Sequence, residues 1–235
     1  MHNNGKDLTE SMHWIHNYQL FLFDFDGLLV NTEEIHYLAY KQMCAARGID
    51  LQWSFHRYCQ AAHYDAHALR EQLYAEFPIL KQQEPNWSVL YAEKKAALQK
   101  LVKEGSVDLM PGVQEFLSLL EKHAIPRCVV THSPDSLVQL IRKKHPVLNT
   151  IPLWITREHY SQPKPHSECY LYAIASFAKP QDRIIGFEDT PRGIHALMGT
   201  RAEPVLICQA DYPEISEFLT QGVRHYSSFR DIMNP

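Results

Sequence analysis

The chain has no CxxC pair, no apolar run long enough to cross a membrane and no surplus of basic charge. Its five cysteines, Cys44, Cys59, Cys128, Cys169 and Cys208, are odd in number and far apart. That spacing argues against a disulfide or zinc framework and fits reduced thiols in a cytosolic protein. The longest apolar stretches are strand-sized, well short of the roughly 18 residues a membrane helix needs. Met1 to Ser11 holds no apolar run and does not read as a secretory signal. Lys and Arg number 23 against 27 Asp and Glu, a formal charge of −4. A generic nucleic-acid binder would show the opposite balance or a basic stripe. The 45% hydrophobic and 21% charged content is that of a folded chain, not a disordered one. Neither internal repeats nor low-complexity segments are visible. What remains is a folded, cytoplasmic chain of 235 residues, room for one large domain or a core with a smaller companion. Its 14 histidines are unusually many and at first sight suggest a metal or a pH role.

Short apolar runs recur along the chain, each ending on polar residues. Leu20-Phe21-Leu22-Phe23 stops at Asp24-Phe25-Asp26-Gly27. Cys128-Val129-Val130 stops at Thr131-His132-Ser133, and Leu153-Trp154-Ile155 at Thr156. Ile184 to Phe187 stops at Glu188-Asp189, and Val205-Leu206-Ile207 follows. Runs without alternation are strands buried on both faces. Between them lie helical spacings: Val113, Phe116, Leu117 and Leu120; Leu137, Leu140 and Ile141, with Ser133 to Ser136 as capping segment; Tyr170, Ala173, Ile174 and Phe177; Ile194, Leu197 and Met198 after Pro191. Strand and helix in alternation predict an α/β fold, a Rossmann-like doubly wound parallel sheet with helices on both faces.

One stretch breaks the alternation. Roughly 100 residues separate the first two strands, too many for a structureless loop. Helical periodicity runs over 34–47, 67–77 and 87–103, with a polar loop expected at Lys81 to Asn86. The sequence therefore predicts an inserted all-helical domain over 37–103, with 1–36 and 104–235 forming the sheet domain.

In an open parallel sheet, ligands bind outside the carboxyl ends of the strands. The polar residues ending these strands should converge there: Asp24, Asp26, Thr131, Glu188 and Asp189, joined by Lys164 from Gln162-Pro163-Lys164-Pro165. Clustered carboxylates repel one another and call for a cation. Hard oxygen ligands beside a phosphate suit Mg²⁺. A lysine supplies a point charge for a phosphate, and a hydroxyl at a helix start supplies a donor. The set suits phosphoryl transfer, in which positioning and charge neutralisation do most of the work.

The run Asp24 to Glu34, DFDGLLVNTEE, resembles the first motif of the haloacid dehalogenase superfamily. Thr131 after its strand resembles the second motif and Lys164, with Glu168 and Tyr170 downstream, the third. Gly186 to Ile194, GFEDTPRGI, resembles the fourth. The helical insertion resembles the cap of the β-phosphoglucomutase-like and phosphoglycolate-phosphatase-like branch. The resemblance implies a phosphatase acting on a small phosphorylated metabolite, with Asp24 as nucleophile and Asp26 as general acid and base. It implies phosphoryl contacts from Thr131 and Lys164, with His132 beside them either reaching the leaving group or simply packing. It further implies Mg²⁺ held by Asp24, Asp26 through its carbonyl, Asp189, and Glu188 directly or through water. Thr32, His36 and His63 are candidates for hinge or substrate contacts. The partner is a small phosphate ester, with neither nucleic acid nor membrane, and the chain is expected to be a monomer.

Some positions depart from the pattern. Asn31 stands where many relatives carry Asp, and Ser167 replaces a common proline. A sugar phosphomutase of this branch has an arginine near a glycine in a cap loop, and Cys59 to Asp65 has neither. That weakens the mutase alternative and leaves it open, along with a non-catalytic binding protein on the same scaffold. Asp26 itself argues against dehalogenase and phosphonatase chemistries, which lack that second Asp. His63 and His67 have metal-ligand spacing on a helix but no evident third ligand, and read as solvated or packed.

Overall fold

The structure is a computed structural model and describes residues 12–62, 68–105 and 107–233. It divides into two compact units, one of residues up to Val30 and from Leu109 onward, the other Asn31–Asp108.

The first unit is built on six strands: β1 (Leu20–Phe23), β2 (Arg127–Val130), β3 (Leu153–Ile155), β4 (Ile184–Glu188), β5 (Glu203–Ile207) and β6 (Arg224–Tyr226). They lie in the order β3-β2-β1-β4-β5-β6, every pair parallel. β1, β2 and β4 are buried at every position, which is why their sequences run apolar without alternation. Side chains still take turns across the sheet. Phe21 and Phe23 face one layer, where Phe23 stacks on Phe187 at 5.0 Å and Phe116 on Phe229 at 5.1 Å. Leu20 and Leu22 join the other layer with Cys128, Val130, Tyr170, Ile174 and Leu197.

Numbered along the whole chain, the helices of this unit are α6 (Val113–Lys122), α7 (Asp135–Arg142), α8 (Glu168–Phe177), α9 (Pro191–Met198), α10 (Ile215–Thr220) and α11 (Phe229–Met233). Strand order reverses direction at β1: chain connections lead to β2 and β3 on one side and to β4, β5 and β6 on the other. The carboxyl ends of β1, β2 and β4 therefore open a crevice at the switch point. Before β1, Met12 and Ile15 are buried, and Trp14 stacks on Phe116 at 6.3 Å.

The second unit holds α1 (Glu33–Ala46), α2 (Phe55–Ala62), α3 (Ala68–Glu76), α4 (Pro78–Gln83) and α5 (Trp87–Glu104), and its described residues include no strand. Tyr40, Met43, Leu51, Trp53, Leu73 and Leu90 lie in its core. Asn86 caps α5, its side chain accepting from the Ser88 amide at 3.0 Å. The loop expected at Lys81 to Asn86 is helical through Gln83. Pro78 starts that helix at a first-turn position where its missing N–H costs nothing. Polar side chains there mark an exposed helix face, not a loop.

Candidate active site

Strand β1 ends where its ladder runs out. The Asp24 amide still donates to Phe187 O at 3.0 Å, so Asp24 is held in line with the strand. Gly27 then turns the chain at φ +82°, a conformation that favours glycine. The turn closes with the Gly27 amide on Val30 O at 2.9 Å, and Asp26 is left at the carboxyl edge.

Asp24 is 8% exposed. The Lys164 ammonium donates to Asp24 Oδ1 and, at 2.9 Å, to the Val130 carbonyl. The same ammonium lies 2.7 Å from Glu188 Oε1. The buried Tyr170 hydroxyl donates to that oxygen as well. Burial works against the lysine charge, but the Asp24 and Glu188 carboxylates overcome it and hold the ammonium well above its usual range. Burial, reinforced by the Glu188 and Asp26 charges, raises Asp24 to about 7 against the pull of Lys164. Positive charge is thus scarce where negative charge is dense.

Asp26 is half-buried and is gripped from β2's end: Thr131 Oγ1 donates to its Oδ2 at 3.1 Å and Ser133 Oγ at 2.7 Å. Thr131 Oγ1 also accepts the Ser133 amide at 3.0 Å. Behind Thr131, the Tyr160 hydroxyl donates to its carbonyl at 3.0 Å and lies 3.0 Å from His132 Nδ1. His132 is exposed at the crevice, yet desolvation of its ring, together with the Arg157, Arg192 and Lys164 cations, pushes its pKa down to about 4. The loop that carries Lys164 is held by Glu168, whose carboxylate accepts the Ser161 amide at 3.0 Å and the Gln162 amide at 2.7 Å.

Strand β4 delivers Glu188 and Asp189, both buried. Thr190 caps α9 by accepting the Gly193 amide at 3.3 Å. Gly193 has no room for a side chain: a Cβ there would lie 1.9 Å from Glu188 Oε2. Oxygens of Asp24, Glu188 and Asp189 all lie within 4.8 Å of one another. Three buried carboxylates, with Asp26 close by and one ammonium to balance them, carry excess negative charge. An all-oxygen donor set of that kind fits a hard divalent cation such as Mg²⁺.

The fold therefore brings together Asp24, Asp26, Thr131, His132, Lys164, Glu188 and Asp189. Thr32 and His36 belong to the helical unit. Thr32 is fully buried before α1, and His36 Nδ1 lies 2.7 Å from Lys94 Nζ. His63 and His67 lie outside the described residues. Sequence reasoning passed over Ser133, taken as part of a helix-capping segment, and Tyr160, and met Gly193 only as one residue of the fourth motif. The spacing Thr131-x-Ser133 repeats that of Asp24-x-Asp26 on the neighbouring strand, and was the available signal for Ser133.

A profile of the haloacid dehalogenase-like hydrolase family matches residues 21–202. The chain belongs to that family. This haloacid dehalogenase-like chain is 25% identical to Protein CbbY of Rhodobacter capsulatus over 86% of its length and 96% of that protein's. It is 24% identical to a phosphorylated carbohydrates phosphatase of Thermotoga maritima, covering 78% of this chain and 82% of that one. Among solved structures, a predicted phosphoglycolate phosphatase from Haemophilus somnus superimposes with a TM-score of 0.76 at 19% identity, over 93% of this chain and 97% of that one. The doubly wound sheet with a helical insertion is thus the family's fold, and the chain is an enzyme of the hydrolase class. No helix among the described residues is long and apolar enough to cross a membrane.

Proposed function

We propose that the protein is a Mg²⁺-dependent phosphatase of small phosphorylated metabolites, working through an aspartyl-phosphate. The observation that carries the reading is the pairing of two aspartates with different surroundings at the end of one strand. Asp24 is buried against Lys164, and Asp26 is oriented by two hydroxyls. The names of the relatives, one a phosphatase of phosphorylated carbohydrates, support the substrate class.

Asp24 attacks phosphorus, forming its O–P bond as the bond to the leaving oxygen breaks. Asp26 gives its proton to that oxygen and then, as carboxylate, takes one from the attacking water. The water oxygen bonds to phosphorus, the Asp24 O–P bond breaks, and phosphate leaves with Asp24 ionised and Asp26 protonated again. Lys164 neutralises charge between Asp24 and the phosphoryl oxygens, and Thr131 turns its hydroxyl from Asp26 to them when substrate is bound, leaving Ser133 to hold Asp26. Asp24, the Asp26 carbonyl and Asp189 would hold Mg²⁺, with Glu188 reaching it directly or through water. When bound, the ion supplies the positive charge that lets a carboxylate approach a phosphate. The same reading takes the protein as a cytoplasmic monomer.

The test is Asp24→Asn with Mg²⁺ present. Phosphate release from a panel of sugar phosphates and p-nitrophenyl phosphate should fall by about 10³-fold or more, as removal of a nucleophile does elsewhere. Acid quenching of the wild type should trap a base-labile phosphoryl group that the variant lacks. Undiminished turnover by the variant would sink the mechanism. A hexose 1-phosphate isomerised faster than phosphate appears would identify a phosphomutase instead.

A further inference from the structure

We propose that Tyr170 is a positioning residue of the reaction: its hydroxyl holds Glu188 so that Lys164 can turn from Glu188 to the incoming phosphoryl group. The inference rests on the phosphatase reading and adds a residue to it.

An ammonium has three hydrogens, and three oxygens already surround the one on Lys164. They are Asp24 Oδ1, the Val130 carbonyl at 2.9 Å and Glu188 Oε1 at 2.7 Å. A phosphoryl oxygen gains one of these hydrogens only if a present partner gives it up. The partners differ in what release would cost. Asp24 pairs with no other cation among the described residues, and it must face phosphorus as a carboxylate. The Val130 carbonyl is main chain in a fully buried strand, and cannot turn away without disturbing the end of β2. Glu188 is different. Its Oε1 also accepts the Tyr170 hydroxyl, so it keeps a donor when the ammonium leaves.

Burial makes that second donor matter. Glu188 and Tyr170 are both buried, where a carboxylate stripped of its partners is costly. Tyr170 is the third residue of α8 and packs among Leu22, Cys128 and Val130, which fixes its ring at the strand ends. Lys164 Nζ lies 4.8 Å from the centroid of that ring. The ring face attracts the ammonium whichever carboxylate it leaves. Ring and hydroxyl thus do separate jobs, and Tyr170→Phe removes only the second.

The experiment titrates inorganic phosphate into wild type and Tyr170→Phe by calorimetry with Mg²⁺ present. The variant should bind it about tenfold more weakly, the scale of a hydrogen bond to a charged group. With p-nitrophenyl phosphate, kcat/KM should fall by about the same factor, carried by KM with kcat little changed. Tyr172→Phe, on the exposed face of the same helix, should keep wild-type values. A purely structural role would lower the melting temperature of Tyr170→Phe and leave the Kd of the folded protein in place. A Kd within about twofold of wild type, or a loss confined to kcat, overturns the assignment. Should the variant not fold, wild type labelled with ¹³C at tyrosine Cζ decides instead. The Tyr170 resonance shifts on phosphate addition if Lys164 leaves Glu188, and a resonance that stays in place overturns the assignment. Failure of the phosphatase reading looks different, because no ester then releases phosphate while the phosphate Kd ratio still decides Tyr170. A wild type that binds no phosphate overturns both.

Discussion

At the scale of single residues, the site is a charge balance in a small dry volume. Lys164 stands between Asp24 and Glu188, with a side chain only 7% exposed. Removing one member of a buried ionic set leaves the others without compensation. Lys164→Met should therefore cost about 3–5 kcal/mol in urea unfolding without divalent cation. A loss below about 1 kcal/mol would show that the carboxylates are better solvated than their burial indicates. His132 gives a pH signature. Its folded pKa of about 4 lies below the unfolded value near 6.5. Between those values the unfolded chain binds the proton and the native one does not, so the contribution is fully present above pH ~6.5 and is lost as pH falls toward ~4. The stability difference between wild type and His132→Gln should accordingly shift against the wild type from pH 7 to pH 4.5. A difference constant across that range would contradict the desolvation of the ring and its placement beside cations.

At the scale of elements, the site is made by the ends of strands and the starts of helices. Helix α9 begins on it: Thr190 caps, Pro191 opens the first turn, and Gly193 lets the Glu188 carboxylate lie against the helix backbone. Gly193→Ala places a methyl where Glu188 Oε2 is, and Glu188 must then leave Lys164 and Tyr170. Overpacking of this kind costs about 1–3 kcal/mol, and phosphate release should fall with it. Thermal unfolding and phosphate release check both, and wild-type values in the two would show that Glu188 is not fixed by this glycine. Legibility differed between elements for a physical reason. β1, β2 and β4 are buried on both faces, so burial writes an unbroken apolar run into each. β6 is half-buried throughout and only three residues long, so it leaves no such run. α4 escaped notice because its last turn, Lys81 to Gln83, is exposed and polar, like a loop.

At the scale of the whole molecule, each of the two units has hydrophobic packing of its own. The aromatic layer over β1 and β4 serves one, and the cluster around Leu73 serves the other. Leu73 is fully buried, so Leu73→Ala should cost about 2–5 kcal/mol through lost contacts and a cavity. Hydrogen exchange should quicken in α1, α3 and α5 while the amides of β1 and β4 keep their protection. Equal loss of protection in both sets would mean that the two units unfold together. The high histidine count found no metal role at the site, since the candidate cation ligands are carboxylates.

The sequence by itself determined where the strands end on polar residues, because a doubly buried strand must be apolar and its first polar residues must fall where the ladder stops. Asp24, Asp26, Thr131, Glu188 and Asp189 could be read on that ground, and Lys164 by its motif. Only the tertiary structure decided who holds whom. Tyr170 reads as a helix position downstream of the third motif, with no partner named, until α8 packs against the sheet and its hydroxyl meets Glu188. Ser133 reads as a helix cap until β2 lies beside β1 and its hydroxyl turns to Asp26. Local patterns record burial along the chain, whereas partners across more than a hundred residues are set by strand order and packing, which no local pattern records.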